Sequence, residues 1–541
     1  MMMKVESPIH HTFTGDNLIP ETVAQLARSL SVELAIAPDA IAKMNASRKW
    51  VETVAQTGKP VVYGVNTGFG SKANVSISRE HLQELQYNLI QSHASGTGEP
   101  LPIDVVRAAM VLRVQTLVKG YSGIRPVVVE RLLEMLERNV VPWIPAQGSV
   151  GASGDLAPLS HLALVLIAPT KPTETDYSKA YWWNSQQEAW ELLPGKEALR
   201  RAGIQPVQLE AREGLALNNG TQISTALLTL AYVDAEQLVK TADIAMALSL
   251  EALRGIRRAF HPAIHELRPH PGQMATAENI RRLIEGSTLV DSLKEQVQDA
   301  YSLRCHPQVV GSVRDTLAHV RRVLTVELNS TNDNPIILPD EPDENKAFSG
   351  GNFHAQPIAF AADFLAIALA EVGSIAERRI FRMSDKNLNN GLPSFLIANG
   401  GLENGLMIAQ YTAAALASEN KSLAHPASVD SIPTCENQED HVSMAPIAAR
   451  KARQIVENVT KIVAIELLYA AQAVDLRARE TGQSPQELLG AGTRVAYETI
   501  RREVPILETD RPLYGDIDTI ARMVRSGALL QAVEQAIGTL R

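Results

Sequence analysis

The chain is 541 residues long, 45% apolar and 21% charged, with a net charge of −9. This acidic balance argues against nucleic acid or an anionic membrane as the main partner. Cys305 and Cys435 are the only cysteines, which argues against a disulfide framework and for a reducing compartment.

The first residues, MMMKVES, lack the apolar run of a signal peptide. The most apolar later stretch, 358–370, is broken by Asp363 and followed by Glu371, which reads as a buried core helix. The expectation is a soluble, cytoplasmic protein with no membrane span. The first 200 residues hold short β-like pieces such as 60–63 and glycine-rich loops at 64–70, 96–98 and 148–154. Residues 169–195 read as a surface insertion, punctuated by Pro169, Pro172, Pro194 and Gly195 and holding Trp182, Trp183 and Trp190. It is either a locally packed loop or a cover over a subunit or a site mouth.

From about 215 onward the pattern is helical. Residues 221–253 are Ala/Leu-rich without Pro, 310–328 end in the polar cluster NSTNDNP, and 353–383 and 445–476 are further long candidates. Several helices of more than 20 residues imply a mainly α, long-helix bundle with a smaller mixed N-terminal part. The division expected is 1–214, carrying the active-site loops, and 215–541, the helix bundle and oligomerisation core. Asp363, Glu371, Glu377, Glu457 and Glu466 fall within these apolar helices and read as partnered groups in subunit contacts.

The segment GSVGASGDLAPLS at 148–160 is built of residues small enough for the backbone to fold back on itself. Attack of the Gly154 nitrogen on the Ala152 carbonyl carbon, with loss of two waters, closes a methylidene-imidazolone (MIO) ring. Its exocyclic methylene comes from Ser153, and a residue without Cβ at 154 tolerates the close approach. Alone, Ala-Ser-Gly is usually a turn. A phosphate loop is disfavoured because both glycine-rich phosphate signatures are missing.

Four other segments have unusual polar density: YGVNTGFG at 63–70, NNGTQ at 218–222, YSLR at 301–304 and NQEDHVSM at 437–444. Each has a plain reading as packing, cap or salt bridge. Together they make a kit for removing ammonia from an α-amino acid. Arg304 suits a carboxylate, and Tyr63 suits the β-proton if the site lowers its pKa. Asn219 and Tyr301 suit an oxygen on which negative charge develops. The histidines of HPAIHELRPH at 261–270 are interrupted by Pro262 and Pro269, so no metal is expected.

With these motifs, together with EGLALNNGTQ at 213–222, NSTNDNP at 329–335 and GGNFH at 350–354, the chain closely resembles the MIO-containing ammonia-lyase and aminomutase family along nearly its whole length. The resemblance implies a fold of the ammonia-lyase (fumarase/aspartase-like) type, assembled as a homotetramer whose active sites each take residues from three chains. It implies Tyr63 as base, an autocatalytic ring from Ala152-Ser153-Gly154 and no external cofactor. Fumarase-like lyases themselves lack an internal electrophile and carry a Gly-Ser-Ser loop not found here.

Within the family the chain is most similar to the histidine ammonia-lyase branch. His93, in QSHASG, and Glu439 match the positions where that branch meets an imidazole, and Gln222 and ASVDSIP at 427–433 fit it as well. Gln298 and Phe353 complete the implied substrate-binding set. The implied reaction takes ammonia from L-histidine to give urocanate. Gln356, in HAQP, matches the aminomutases instead, so a tyrosine or phenylalanine lyase or a 2,3-aminomutase stays open as the alternative. The doubled Asn218-Asn219 and the Trp-rich insertion are further departures.

Overall fold

The computed structural model describes residues 7–170, 175–342 and 344–541. It is mainly helical, with a few small sheets. The long helices are Gln222–Ala252, His306–Glu327, Gln356–Ser384 and Ala445–Thr481; the first has no Pro, and Pro307, Pro357 and Pro446 stand at the second position of the other three, where a missing N–H costs no helix bond.

Two compact units are present. The first comprises the described residues of Met1–Leu230 with Arg321–Ala362 and Pro426–Arg450; the second comprises Ala231–Val320, Asp363–His425 and Lys451–Arg541. These units differ from a division at 214/215. The chain returns twice to its N-terminal part, because 321–362 and 426–450 pack there rather than with the helices that flank them in sequence.

In the first unit, helix Ile103–Val118 is buried on every side from Val105 onward. Its two arginines are therefore surrounded by backbone acceptors. Arg107 donates to the carbonyls of Leu26, Ala27, Ser29 and Leu136, satisfying the open ends of helices Pro20–Arg28 and Pro126–Glu137. Arg113 donates to the carbonyls of Ala216 and Asn219 and to Gln222 Oε1, and so fixes the turn that carries Asn219.

The expected β-piece at 60–63 is instead a turn. Asn66 Oδ1 accepts from the Val62 N–H, and the N–H groups of Val65 and Asn66 return to the Val62 carbonyl, which leaves nothing for a strand partner. The Trp-rich insertion contains a hairpin, Lys179–Asn184 with Ala189–Pro194, which extends strand Val140–Pro142 into a three-stranded antiparallel sheet. Trp183 and Trp190 face each other across it, ring centroids 5.4 Å apart, so these aromatics pack locally. Pro172 lies outside the described residues.

In the second unit, Gly373 lets helix Gln356–Ser384 approach Ala445–Thr481. A Cβ there would stand 3.1 Å from Ile462 and 3.2 Å from Val459. By length and composition Gln356–Ser384 is apolar enough to cross a bilayer, but 61% of that apolar window is packed inside the chain. Asp363, on the same helix, is buried with Lys451 3.5 Å away, so this is a core helix. Glu377 and Glu466 also find partners within their own chain, Gln410 and Arg379 respectively. Glu371 is exposed.

Candidate active site

The loop 148–154 runs into helix Leu156–Leu166 and is clamped from two sides. On one side Gly154 pairs with Gly220, and Asp155 N–H donates to the Gly220 carbonyl at 2.7 Å. Gly154 has φ +68°, and a Cβ there would fall 2.1 Å from the Gly220 oxygen, so only glycine fits. On the other side Met444 N–H donates to the Val150 carbonyl and Ser443 Oγ to that of Gly151, both at 2.9 Å. Ala152 is packed into an apolar cluster with Val442 and Met444. Beneath the loop Asp155 is fully buried. It accepts from Ser149 Oγ, Ser224 Oγ and Ser224 N–H at 2.8–3.0 Å. Burial nonetheless pushes its carboxyl up to about 6.

Held this way, Ser153 faces a cleft of about 580 Å³ lined by Tyr63, Phe69, Leu89, His93, Leu156, Leu215, Asn219, Cys435 and Glu439, among others. A second lobe of about 270 Å³ opens past Ala152, Ser153 and Gly154 towards Ser149 and Thr434. Ser153 Oγ donates to Glu439 Oε1 at 2.8 Å, and Thr434 Oγ1 donates to the other carboxylate oxygen at 2.6 Å. Glu439 is aimed by a tight turn in which Cys435, Glu436 and Asn437 all take left-handed φ values of 51–67°. Three such non-glycine residues in a row mark strain of the kind concentrated at functional sites.

The profile of the aromatic amino acid lyase family matches residues 18–502. The chain belongs to that family. A histidine ammonia-lyase of Natranaerobius thermophilus is 47% identical over 98% of this chain and 99% of its own. The crystal structure of histidine ammonia-lyase from Trypanosoma cruzi superposes with a TM-score of 0.87 at 40% identity, covering 98% of this chain and 96% of that one. A tyrosine aminomutase from Streptomyces globisporus gives 0.88 at 38%, covering 99% and 100%.

In this member of the aromatic amino acid lyases, Tyr63, Ser153, Asn219, His93 and Glu439 line one cleft, and Ala152 and Gly154 line its second lobe. The Asn219 Oδ1 is buried with no hydrogen-bond partner. His93 ends helix Leu82–His93, its Nδ1 3.0 Å from Ser92 Oγ. Burial lowers its pKa against a smaller upward pull from Glu439, which favours the neutral ring. Tyr63 Oη accepts from the Gly70 N–H at 3.2 Å. Its pKa is raised, where the sequence reading needed it lowered. Burial is the main cause, and the Gly70 N–H and Arg212 pull the other way.

Phe353 is half-buried and does not line the cleft. Gln298, Tyr301 and Arg304 belong to the second unit, whereas every lining residue of the cleft belongs to the first. Tyr301 is 71% exposed, with the Arg304 guanidinium 4.8 Å from its ring centroid. Gln222 lies away from the cleft in a buried network with Arg113, Thr116 and Asn332. Gln356 donates weakly to the Ser428 carbonyl at 3.4 Å. Of the 261–270 histidines, His265 is held by the Ala259 carbonyl and Gln273. Among the described residues no three His, Cys, Asp or Glu side chains form a metal-holding group.

Sequence reasoning missed Leu85, Asn88 and Leu89, which line the cleft together with Ser92. Their i, i+3, i+4, i+7 spacing ahead of His93 was the available signal. Thr434 and Cys435 had none, since a turn of consecutive left-handed residues leaves no pattern in composition.

Proposed function

We propose that this chain eliminates ammonia from L-histidine to give urocanate, using an MIO ring closed autocatalytically from Ala152, Ser153 and Gly154. Aromatic ammonia-lyases use such a group, and the residues present fit it. Glycine is the one residue admitted at 154, Ser153 Oγ reaches the cleft, and Asn219, whose amide nitrogen can donate to the ring oxygen, lines the same cleft. When formed, the ring supplies an electrophilic methylene that makes the substrate amine a leaving group.

The chain's own residues do the rest. Arg304 holds the substrate carboxylate by its planar fork. Tyr63 takes the β-proton, its oxygen steadied by the Gly70 N–H. Asn219 and Tyr301 hydrogen-bond the ring oxygen. His93 and Glu439 orient the imidazole, with Gln298 and Phe353 completing the substrate contacts.

The observation that carries the reading is Glu439. Its carboxylate stands 2.8 Å from the Ser153 oxygen in the same cleft as His93. Ring closure would remove the Ser153 hydroxyl and free that carboxylate oxygen, which an imidazole N–H satisfies and a phenyl ring does not. Identity of 47–49% to histidine ammonia-lyases over nearly whole chains supports the same substrate.

The active enzyme is a cytoplasmic homotetramer, with Gln298, Tyr301 and Arg304 delivered to each cleft by neighbouring chains. Support comes from the exposure of Tyr301 and Gln298 and from a cleft lined by the first unit alone. Residues 1–214 carry the base loop and the ring-forming segment, and 215–541 the assembly core.

A second reading, a tyrosine or phenylalanine lyase or 2,3-aminomutase using the same ring, draws on Gln356 and on the 38% identity to tyrosine aminomutase. Purified protein mixed separately with L-histidine, L-tyrosine and L-phenylalanine separates the two. Urocanate and ammonia from histidine alone support the first. A cinnamate-type acid or a β-amino acid from an aromatic substrate replaces it with the second.

A further inference from the structure

Tyr301 and Arg304 stand on a helix of only four residues, Tyr301–Arg304, too short to hold its own direction. Arg304 Nε donates to the Asp299 carbonyl at 2.9 Å, and the segment runs through Cys305 into helix His306–Glu327, so its aim depends on what anchors its backbone and the start of that helix. The second unit contains a chain of ionisable groups, Asp243, His306, Arg379 and Glu466, all fully buried and each on a different long helix.

Arg379 grips the Glu466 carboxylate through Nε and Nη2, and Ser249 Oγ adds a bond to the same carboxylate at 2.8 Å. Its remaining nitrogen, Nη1, is turned the other way. It donates to the Ser302 carbonyl at 3.2 Å, inside the four-residue helix, and stands 3.3 Å from His306 Nδ1. His306 Nε2 is 2.9 Å from Asp243 Oδ1, and Asp243 is held in turn by Asn279 and Arg314.

The donors fix the protonation. A guanidinium has no acceptor, so His306 Nδ1 must accept and Nε2 must carry the hydrogen. The ring is therefore a neutral relay with one tautomer, facing Asp243, Arg379 and Glu466.

Buried ion pairs are common in helical bundles and by themselves are weak grounds for a functional role. Here one arm of the pair is committed to the backbone of the segment bearing Arg304. Two residues beyond Arg304, the chain is anchored again by His306. We propose that Arg379 and His306 are positioning residues that aim Arg304 at the substrate carboxylate. This rests on the reading of Arg304 as the carboxylate-binding residue.

The test uses the full-length enzyme with Arg379→Lys, His306→Leu and His306→Gln. Glutamine keeps one donor for Asp243 and one acceptor for Arg379, so it imitates the neutral ring. Intact mass first establishes that two waters are still lost, and melting temperature that the fold holds. KM for L-histidine and inhibition by free imidazole, which has no carboxylate, are then compared.

The expected result is a KM raised about tenfold in Arg379→Lys and His306→Leu, a modest share of what misplacing a binding group by an ångström can cost. Imidazole inhibition stays unchanged, and His306→Gln returns KM to near wild type. In an Arg304→Lys background the effect of Arg379→Lys shrinks, because coupled residues are not additive. Unchanged KM in folded variants overturns the inference. So does an undiminished Arg379→Lys effect without Arg304, or a His306→Gln no better than His306→Leu. If Arg379→Lys does not fold, the two His306 variants decide alone. Should the wild type deaminate tyrosine instead, the histidine reading falls. The same comparison on tyrosine then judges this inference separately, since both substrates carry the carboxylate.

Discussion

The cleft of the first unit and the charged core of the second both gather polar side chains, and they treat them oppositely. In the core every group of the Asp243–His306–Arg379–Glu466 chain is partnered, and Glu466 accepts from Arg379 and Ser249 together. At the cleft the Asn219 oxygen is buried without a partner, Tyr63 has one backbone donor, and Glu439 is aimed by a strained turn. In the charged core these groups hold one another still, whereas at the cleft a buried polar atom is left open to a ligand.

The sharpest way to break this contrast is at Ser153. Ser153→Ala removes the hydroxyl whose loss completes the ring, so turnover is expected to fall by about 10⁴-fold or more, with melting temperature unchanged. A large drop in melting temperature would make Ser153 a member of the fully bonded class. Tyr63→Phe comes next. It removes the base and is expected to cost about 10³-fold in kcat, with the mass still short by two waters.

Glu439→Gln is expected to lower kcat/KM for histidine by about 10²-fold while changing any residual action on phenylalanine far less. Equal losses on both substrates would show that Glu439 serves the ring rather than the imidazole.

The smallest effect concerns Asp155, which is fully bonded although it adjoins the reacting loop. Its folded-state pKa is raised from 3.8 to about 6, so the folded chain binds the proton more tightly than the unfolded one. Its stability contribution is present below about 4 and is lost as pH rises through about 6. Asp155→Asn is therefore expected to gain on wild type by on the order of 1 °C in melting temperature between pH 4 and 7. A difference that is flat across that range would contradict the assignment.

The long helices were legible because Ala-rich runs with no Pro beyond the first turn, such as 222–252 and 445–481, admit little else. The hairpin at 179–194 was not. Prolines at its flanks read as loop punctuation, and its pairing with 140–142 is a tertiary fact. For the same reason the two compact units were illegible, since the return of 321–362 and 426–450 leaves no mark in composition.

At the cleft, the ring-forming tripeptide and Tyr63 could be read as chemistry only in company with the other polar segments, since each alone reads as a turn or as packing. That Glu439 meets Ser153 could not, for 286 residues separate them and the family resemblance placed Glu439 only against the substrate imidazole. The direction of the Tyr63 pKa shift escaped too. Burial decides it, and a glycine-rich loop carries no sign in its sequence of how deeply its tyrosine is buried.

The most direct measurement is urocanate formation from L-histidine by wild type and Ser153→Ala side by side, with intact mass taken on the same samples. Urocanate is expected from the wild type alone, together with a wild-type mass short by two waters. Equal urocanate from both proteins, or a wild type that has lost the waters yet leaves histidine untouched, would contradict it.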